Sequence, residues 1–538
     1  MSHFSAGIKL DDINDYLEAE ETCVLETNQK NKQELDFSTD SGSVEIKFRR
    51  DDTGHFKQIR TDESTQTARI TLDDCLACSG CVTSAETKLI EQQSLEQVQQ
   101  YRDSGFDTCV ISVSSQTRLS FAARTGLSEA QVNGVFLTDS VFARLTTLFK
   151  RYFDVQYVLD VNEALPLAQK LAAEEFVERL EKGKTPVLSG ECPGWVCFAE
   201  RHSSASQLLS LLSRVPSPQQ LLGAAVKRTL HNRHVQHTCV MPCFDKKLEA
   251  ARREFTGNTV PSDSSSSSSS RRQPGSEQEV VQHVDCVVTP VEIEQEMERL
   301  NVSFEDLEET PWDTLANLDD PSASTAQERL ATARDVGGSN GYADFVLRYA
   351  ERHFANTDKD ADEGFNNDVS AVEWKRTKNN DWHEASVRLP SGKVKFVRAY
   401  GFRNIQNVVR KLVPPKVGTR RRRHVPPKWR YVEVMACPTG CLNGGAQLRA
   451  QAPESEGQVQ QAALAHARHA ALVRRLQTLL EQRPVASPTR QEEQSNEMRA
   501  RLHPTQLATT FRNLSPDATE VAANEDAVDA SAALTLKW

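Results

Sequence analysis

The stretch E-V-M-A-C-P-T-G-C-L-N-G-G-A-Q, residues 433–447, decides the fold. An apolar run over residues 431–435 predicts a buried strand. This strand delivers Cys437 and Cys441 into a loop that is rich in proline and glycine. Glycines let a backbone come close to a bulky object, and thiols at the end of a strand in such a loop are typical of a metal cluster site.

Two other segments repeat this order of strand, loop and cysteine. A strand over residues 185–192 ends at Cys192 and is followed by P-G-W-V-C, and a strand over residues 237–243 ends at Cys243 in V-M-P-C-F-D-K-K-L-E. One buried thiol at a strand end has an ordinary packing explanation. Three such units in one chain rarely coincide by chance. We therefore predict a single site built from four thiolates, Cys192, Cys243, Cys437 and Cys441.

Composition excludes several classes of protein. The chain has 538 residues, enough for about three domains, and its net charge of −11 argues against a general nucleic-acid-binding surface. No apolar run of about 18 residues predicts a membrane span, and the N-terminus resembles neither a signal peptide nor a transit peptide. The expected compartment is the cytosol or nucleus, where thiols stay reduced. Twelve cysteines in that compartment indicate metal ligands rather than disulfides.

A second cysteine motif lies near the N-terminus. Cys75, Cys78 and Cys81 form a C-x₂-C-x₂-C pattern, whose closely spaced thiolates can each bind a separate iron of a cubane cluster. Zinc remains the alternative, but zinc sites more often use two distant C-x₂-C pairs, and the chain has no second pair. The x₃-C-P continuation of ferredoxins is missing after Cys81. The fourth ligand must therefore come from elsewhere, and Cys23 is the only upstream cysteine.

Predicted strands and helices alternate from residue 108 to residue 243, which indicates an α/β lobe with a mostly parallel sheet. Ligands of such sheets lie beyond the carboxyl ends of the strands, where Cys192 and Cys243 fall. The predicted domains are an N-terminal iron–sulfur domain at 1–100, α/β lobes at 101–255 and 283–450, a serine-rich flexible insertion at 256–282, and a tail at 451–538 that is helical and then disordered.

Several shorter features complete the sequence-based predictions. The glycine run at 337–341 predicts a tight loop passing over the cluster. The run Arg420–Arg423 is interpreted as a solvated loop, with a nuclear signal as the alternative. The terminal Trp538 has no core to join after a polar tail, which favours a docking peptide. The remaining cysteines of the lobes are interpreted as core thiols: Cys109, Cys197, Cys239 and Cys286.

Taken together, the cysteine motifs resemble the active-site motifs of iron-only hydrogenases. The chain more closely resembles the hydrogenase-like assembly factors of the cytosolic iron–sulfur protein assembly pathway, the nuclear prelamin A recognition factor-like family. The resemblance covers about residues 1–450. Besides Cys75, Cys78 and Cys81, the matching stretches are 5–16, 191–200 (E-C-P-G-W-V-C-F-A-E), 217–223 (S-P-Q-Q-L-L-G), 241–249 (M-P-C-F-D-K-K-L-E), 285–289, 400–407 (Y-G-F-R-N-I-Q-N) and 433–445.

The resemblance implies an iron-only hydrogenase-like α/β fold with a small N-terminal iron–sulfur domain and two lobes of mostly parallel sheet. It also implies two [4Fe–4S] clusters. One would be bound by Cys23, Cys75, Cys78 and Cys81, and the second, between the lobes, by Cys192, Cys243, Cys437 and Cys441. The implied role is relaying clusters from the early scaffold to the targeting complex, which contains a WD40 propeller protein and serves cytosolic and nuclear apoproteins. Neither nucleic acid nor a membrane is an expected partner.

Two departures refine that expectation. The ending Leu536-Lys537-Trp538 resembles the docking peptide of clients of the targeting complex, although its middle residue is usually acidic. In hydrogenases a proton-relaying cysteine precedes the first ligand, and here that position is Glu191, so hydrogen turnover is not expected. Lys246 and Glu249 do match residues that border the hydrogenase metal site. An active hydrogenase and a two-cluster electron-transfer or redox-sensing protein are the alternatives.

Overall fold

The computed structural model describes residues 46–50, 56–60, 84–124, 137–202, 204–231, 233–258, 280–320, 338–357, 373–377, 379–389, 392–413, 427–448, 488–502 and 506. The chain divides into two compact units, residues 1–74 and 75–538. In the first unit, strands β1 (Ile46–Arg50) and β2 (Phe56–Arg60) pair antiparallel.

The second unit contains the α/β part of the chain. Its strands are β3 (Thr108–Val113), β4 (Tyr157–Asp160), β5 (Val187–Ser189), β6 (Val235–Val240), β7 (Thr256–Asn258), β8 (Val280–Gln282), β9 (Cys286–Val288), β10 (Lys375–Arg376), β11 (Trp382–Leu389), β12 (Gly392–Tyr400) and β13 (Trp429–Met435). Its helices are α1 (Ser84–Gln92), α2 (Leu95–Gln99), α3 (Ser115–Arg124), α4 (Leu137–Tyr152), α5 (Leu165–Glu181), α6 (Pro193–Arg201), α7 (Pro218–Thr229), α8 (Asp245–Ala250), α9 (Pro290–Arg299), α10 (Leu315–Asp319), α11 (Tyr342–Thr357), α12 (Phe402–Leu412) and α13 (Pro488–Ala500).

Local sequence explains where several of these helices begin. Proline occupies the first or second position of α5, α6, α7 and α9, where its fixed φ suits a helix and its missing N–H is not needed. Helix α9 also has a capping box: the Glu292 N–H donates to Thr289, and the Glu292 carboxylate accepts from the Thr289 N–H at 2.8 Å. These residues determine where the helices begin.

The first sheet has four parallel strands in the order β4-β3-β6-β9. Its strands are apolar on both faces, as expected for a parallel sheet covered by helices. Val110 of β3 belongs to one core cluster, and its neighbours Cys109 and Ile111 belong to another on the opposite face. The sheet is therefore buried on both sides.

The second sheet is mixed, in the order β10-β11-β12-β13-β5. Strands β12, β13 and β5 run parallel, whereas β10, β11 and β12 are antiparallel. Tyr431 of β13 packs into the core cluster that also contains Val110 of the first sheet, and Val432 packs into a third cluster on the other face. The predicted strand at 431–435 thus lies inside the second sheet, and one core lies between the two sheets.

The lobe ranges predicted as 101–255 and 283–450 do not separate the two sheets. Strand β5 falls in the first range but pairs with β13, and β9 falls in the second range but pairs with β6. Hydrophobic patterning identifies strands and carries no information on the partner of each strand. The two sheets are consequently interleaved along the chain.

Part of the C-terminal tail is ordered, so the prediction of disorder is wrong for residues 488–502. Helix α13 lies against α5, and its Met498 and the following Leu502 are 3% and 6% exposed. Arg499 pairs with Glu174 at 2.6 Å and Arg501 with Asp319 at 2.5 Å. The sequence of this stretch is too polar to predict a helix that packs, because only two large apolar residues anchor it. The part of the tail predicted to be helical, before residue 488, and most of the serine-rich insertion lie outside the described residues.

None of the described helices combines the length and the apolar character needed to cross a lipid bilayer.

Candidate metal centre

Two of the four predicted thiols follow neighbouring parallel strands. Tyr431 of β13 lies beside Val187 of β5, so the loops that carry Cys437 and Cys192 leave the second sheet at the same edge. Cys192 occupies the N-cap position of α6, where the positive end of the helix favours a thiolate. The Ala436 N–H, next to Cys437, donates a hydrogen bond to Cys192 Sγ at 3.3 Å. The two loops therefore meet at the sulfur of Cys192.

The third loop comes from the first sheet and contacts the loop that carries Cys437 and Cys441. Cys243 follows β6, and the preceding Pro242 carbonyl accepts a hydrogen bond from the Ala446 N–H at 3.1 Å. A Cβ placed on Gly444 would lie only 2.3 Å from the same carbonyl oxygen. Only glycine allows this approach, which holds the loop of Cys441 against the loop of Cys243.

The four thiols are close enough to act on one another electrostatically. Burial, then Asp245, and then the thiols of the other three cysteines raise the pKa of Cys243. Burial and Asp245 raise the pKa of Cys192 to about 11. The structure thus brings Cys192, Cys243, Cys437 and Cys441 together at the carboxyl ends of strands from both sheets. Their role as cluster ligands remains a prediction.

The donor set fits an iron–sulfur cluster. Four thiols, an N–H aimed at a sulfur and a glycine at the contact between loops match the ligands and backbone donors of such sites. Within the described residues, no three His, Cys, Asp or Glu side chains are grouped to hold one metal ion.

A buried ion pair lies beside the thiols. Lys246 Nζ is 2.8 Å from Glu249 Oε2, and the two residues are 2% and 6% exposed. Burial opposes the ammonium charge, but Glu249 and Glu191 outweigh it and raise the pKa of Lys246. The Ser217 hydroxyl donates to the other oxygen of Glu249. The two residues predicted to border the site therefore neutralise each other.

Comparison with known proteins identifies the family. Residues 107–445 match the family model described as "Iron only hydrogenase large subunit, C-terminal domain". The "Cytosolic iron-sulfur assembly component 3" of Mus musculus is 35% identical over 479 residues, which is 85% of this chain and 86% of the relative. The "Protein NAR1" of Arabidopsis thaliana is 33% identical over 472 residues, 84% and 85% of the two chains. The chain belongs to the hydrogenase-like iron–sulfur assembly family.

Solved structures agree on the fold of this family member. The apo [FeFe]-hydrogenase HydA1 from Chlamydomonas reinhardtii superimposes with a TM-score of 0.52 and 19% identity, covering 75% of this chain and 93% of the hydrogenase. A second [FeFe]-hydrogenase structure gives a TM-score of 0.53 at 18% identity, with coverage of 75% and 94%. The hydrogenase-like α/β fold expected from the sequence is confirmed, and an iron–sulfur cofactor is implied by the family.

Sequence reasoning missed a buried polar network of the hydrogenase-like site. Asn340 donates to the Glu191 carboxylate and accepts from Gln116 Nε2 at 3.0 Å. Gln169 Nε2 donates to the Asn340 carbonyl at 2.6 Å, and Gln447 Nε2 donates to the Gln116 carbonyl at 2.9 Å. These amides come from separate segments, so no local pattern links them. The sequence feature that points to this network is an asparagine inside the glycine run, Asn340, which has a φ of 62° in the structure.

The predicted glycine loop does lie over the site. The Cys441 N–H donates to Ser339 Oγ at 3.0 Å. A Cβ on Gly338, whose φ is +79°, would meet the Leu442 side chain at 2.6 Å. The loop at 338–341 is therefore packed directly on the loop that carries Cys441.

The other predicted residues fall into two groups. Cys109, Cys239 and Cys286 are buried within strands, as expected of core thiols, whereas Cys197 on α6 is half-buried. None of the cysteines within the described ranges forms a disulfide. The remaining predicted site residues lie outside the described ranges: Cys23, Cys75, Cys78, Cys81, Leu536, Lys537 and Trp538.

Proposed function

We propose that this chain is an assembly factor for cytosolic iron–sulfur proteins. In this role it binds two [4Fe–4S] clusters and mediates their delivery from the scaffold to the targeting complex and its apoproteins. The observation that supports the proposal is that the loops carrying Cys192, Cys243, Cys437 and Cys441 contact one another at the carboxyl ends of strands from two sheets. The names of relatives that align over 85% and 84% of this chain support cytosolic iron–sulfur assembly as the process. We infer a cytosolic location, with the nucleus as a second one.

At the described site, the four thiolates would hold one cluster, which supplies a one-electron couple when bound. A [4Fe–4S]²⁺ core with four thiolates has about −2 net charge. The Ala436 N–H at Cys192 Sγ offsets part of that charge. Two of the loops that carry these thiols contact each other closely at Pro242 and Gly444.

The chain's own residues argue against hydrogen turnover. The position of the relay thiol is taken by Glu191, whose carboxylate is held by Asn340. The Lys246 ammonium is engaged by Glu249 and by the charge of Glu191. Both groups therefore already have partners within the protein. We propose that this chain is not a hydrogenase. A gas-evolution assay on the cluster-loaded chain, with a strong reductant, is expected to give no hydrogen.

The N-terminal cluster on Cys23, Cys75, Cys78 and Cys81 and the docking peptide Leu536–Trp538 belong to the proposal through the family resemblance. Docking of this peptide to the targeting complex, with its WD40 propeller protein, is expected to be lost when Trp538 is deleted. Co-purification of the complex that is unchanged by the deletion would remove the docking step from the proposal.

The experiment that tests the cluster assignment is iron and acid-labile sulfide per chain after anaerobic purification, with electron paramagnetic resonance of the reduced protein. About eight irons and two interacting [4Fe–4S] signals are expected. Cys441→Ala should remove about four irons. Cys197→Ala, five residues from Cys192 on the same helix, is the matched control and should keep them all. A Cys441→Ala protein with the full iron content would contradict the four-ligand assignment.

A further inference from the structure

Among the described residues, only β10 pairs with the outer side of strand β11, and it covers less than half of that strand. Strand β12 covers the inner side of β11 from Trp382 to Leu389, whereas β10 pairs with it only at His383 and Glu384. Trp382 shows which backbone groups of β11 face outward, toward β10. Its N–H donates to the Asn379 carbonyl, and its carbonyl accepts from the Thr377 N–H. Every second residue of an antiparallel strand points its N–H and carbonyl the same way.

The N–H and carbonyl groups of Ser386 and Arg388 therefore face outward, beyond the end of β10. Among the residues that the structure describes, no backbone group hydrogen-bonds to them. Both residues are exposed, while Val387 and Leu389 turn their side chains into the core at 6% and 4% exposure. The edge thus has a fixed register, because a shift by one residue would expose the apolar set. It presents a rigid template for one more strand.

Positive charge surrounds this template in a chain whose net charge is −11. Arg388 and Lys393 lie directly opposite each other on β11 and β12, and like charges in that position destabilise a sheet. Neither forms an ion pair within the described part of the chain. Lys395 follows on the same face, and its partner Glu384, at 3.1 Å, is the acid that balances it. Within the described ranges, Arg388 and Lys393 are thus two adjacent cations without a counter-charge.

Protection of an edge strand explains only part of this pattern. Lysine or arginine on the edge strand itself discourages unwanted pairing, which would account for Arg388. Lys393 and Lys395 belong to β12, which is not the edge, and their charges do not guard it. An incoming acidic strand would lie next to Arg388, since cross-strand neighbours on one face are about 4.5–5.5 Å apart. Lys393 is one strand further in, directly opposite Arg388 on the same face, and adds its charge to the same place.

We propose that the outer edge of β11, from Ala385 to Leu389, receives an extended acidic segment of a partner protein as an added strand. Main-chain hydrogen bonds to Ser386 and Arg388 supply part of the affinity. An acidic side chain opposite Arg388 is attracted by Arg388 and, one strand further in, by Lys393. The surface lies outside the cysteine site, so it provides a contact with a protein partner that needs neither a cluster nor the chain terminus.

The test uses the full-length, cluster-loaded protein and a fluorescent ten-residue peptide of alternating Glu and Thr, titrated at low salt by anisotropy. The same peptide with Lys for Glu is the probe control. Arg388→Glu/Lys393→Glu tests the charges, and Lys182→Glu/Lys184→Glu makes the same change in charge at another exposed place. Ser386→Pro removes one outward N–H and leaves the pairing with β12 intact, because proline is tolerated on a strand edge. Ser386→Thr is its control.

Binding of the Glu peptide is expected to weaken at least tenfold in both test variants and to stay at the wild-type level in both controls. Iron content per chain reports that each variant is folded. Wild-type binding by Ser386→Pro would mean attraction without strand addition and would overturn the proposal. Binding that appears only in a variant lacking residues 358–372 would also overturn the proposal, since that result assigns the edge to the chain's own acidic segment.

Discussion

Substitution of Gly444 by alanine should separate the two loops that form the cysteine site. The added Cβ would lie 2.3 Å from the Pro242 carbonyl oxygen, well inside ordinary contact distances of about 3.5 Å. The loops of Cys243 and Cys441 must therefore move apart by about 1 Å. Overpacking of this kind costs about 1–3 kcal/mol. The hydrogen bond from Ala446 to Pro242, now 3.1 Å, would be lost at about 1 kcal/mol more.

The variant should thus be about 2–4 kcal/mol less stable, as the free energy of unfolding in denaturant. It should also release about four irons per chain to a chelator faster than the wild type. Gly105→Ala is the control: Gly105 has a φ of +87°, and a Cβ at this position would have no atom within 4 Å, so the variant reports backbone strain alone. We expect it to lower stability and to keep its iron. Wild-type iron retention and stability in Gly444→Ala would refute the locking of the two loops.

Three further outcomes follow from buried and ion-paired groups. Lys246→Met should lower the free energy of unfolding by about 3–5 kcal/mol because it leaves the Glu249 carboxylate buried without its partner, and Lys246→Met/Glu249→Gln should recover much of that loss. Burial raises the pKa of Glu163 to about 8, so the stability from its protonated form is complete below pH 4.5 and is lost as the pH rises through about 8. Glu163→Gln should flatten the fall of the denaturation midpoint over that range. Met498→Ala should expose the segment 488–502 to limited proteolysis, whereas the exposed Glu493→Ala should not.

The sequence was most informative where a strand leads into a cysteine loop. Apolar runs located the strands that carry Cys192, Cys243 and Cys437, and the rule that ligands lie at carboxyl ends of parallel strands predicted that these loops would approach one another. The predicted alternation of strands and helices begins at residue 108, where the structure has the strand Thr108–Val113. Such elements have a clear period and clear ends, so local patterning is enough.

Pairing between distant segments could not be read in the same way. Nothing local to Val187–Ser189 says that it joins the second sheet, and the strand Trp382–Leu389 was not predicted, because its alternation mixes charged and apolar residues near a polar segment. The network around Asn340 joins amides from several helices and loops, and each amide alone resembles an ordinary surface residue. All three features depend on contacts between residues that are far apart in the sequence.

The exchange of β5 into the second sheet has a consequence for the order of events during synthesis. Val187–Ser189 has no neighbour of its own sheet until Tyr431 and the residues after it have left the ribosome. Cys441 emerges 249 residues after Cys192, a delay on the order of 10–50 s at usual translation rates. During that interval the first two thiols exist without the other two. A cluster held by all four thiols, as proposed, could be inserted only after Cys441 has left the ribosome.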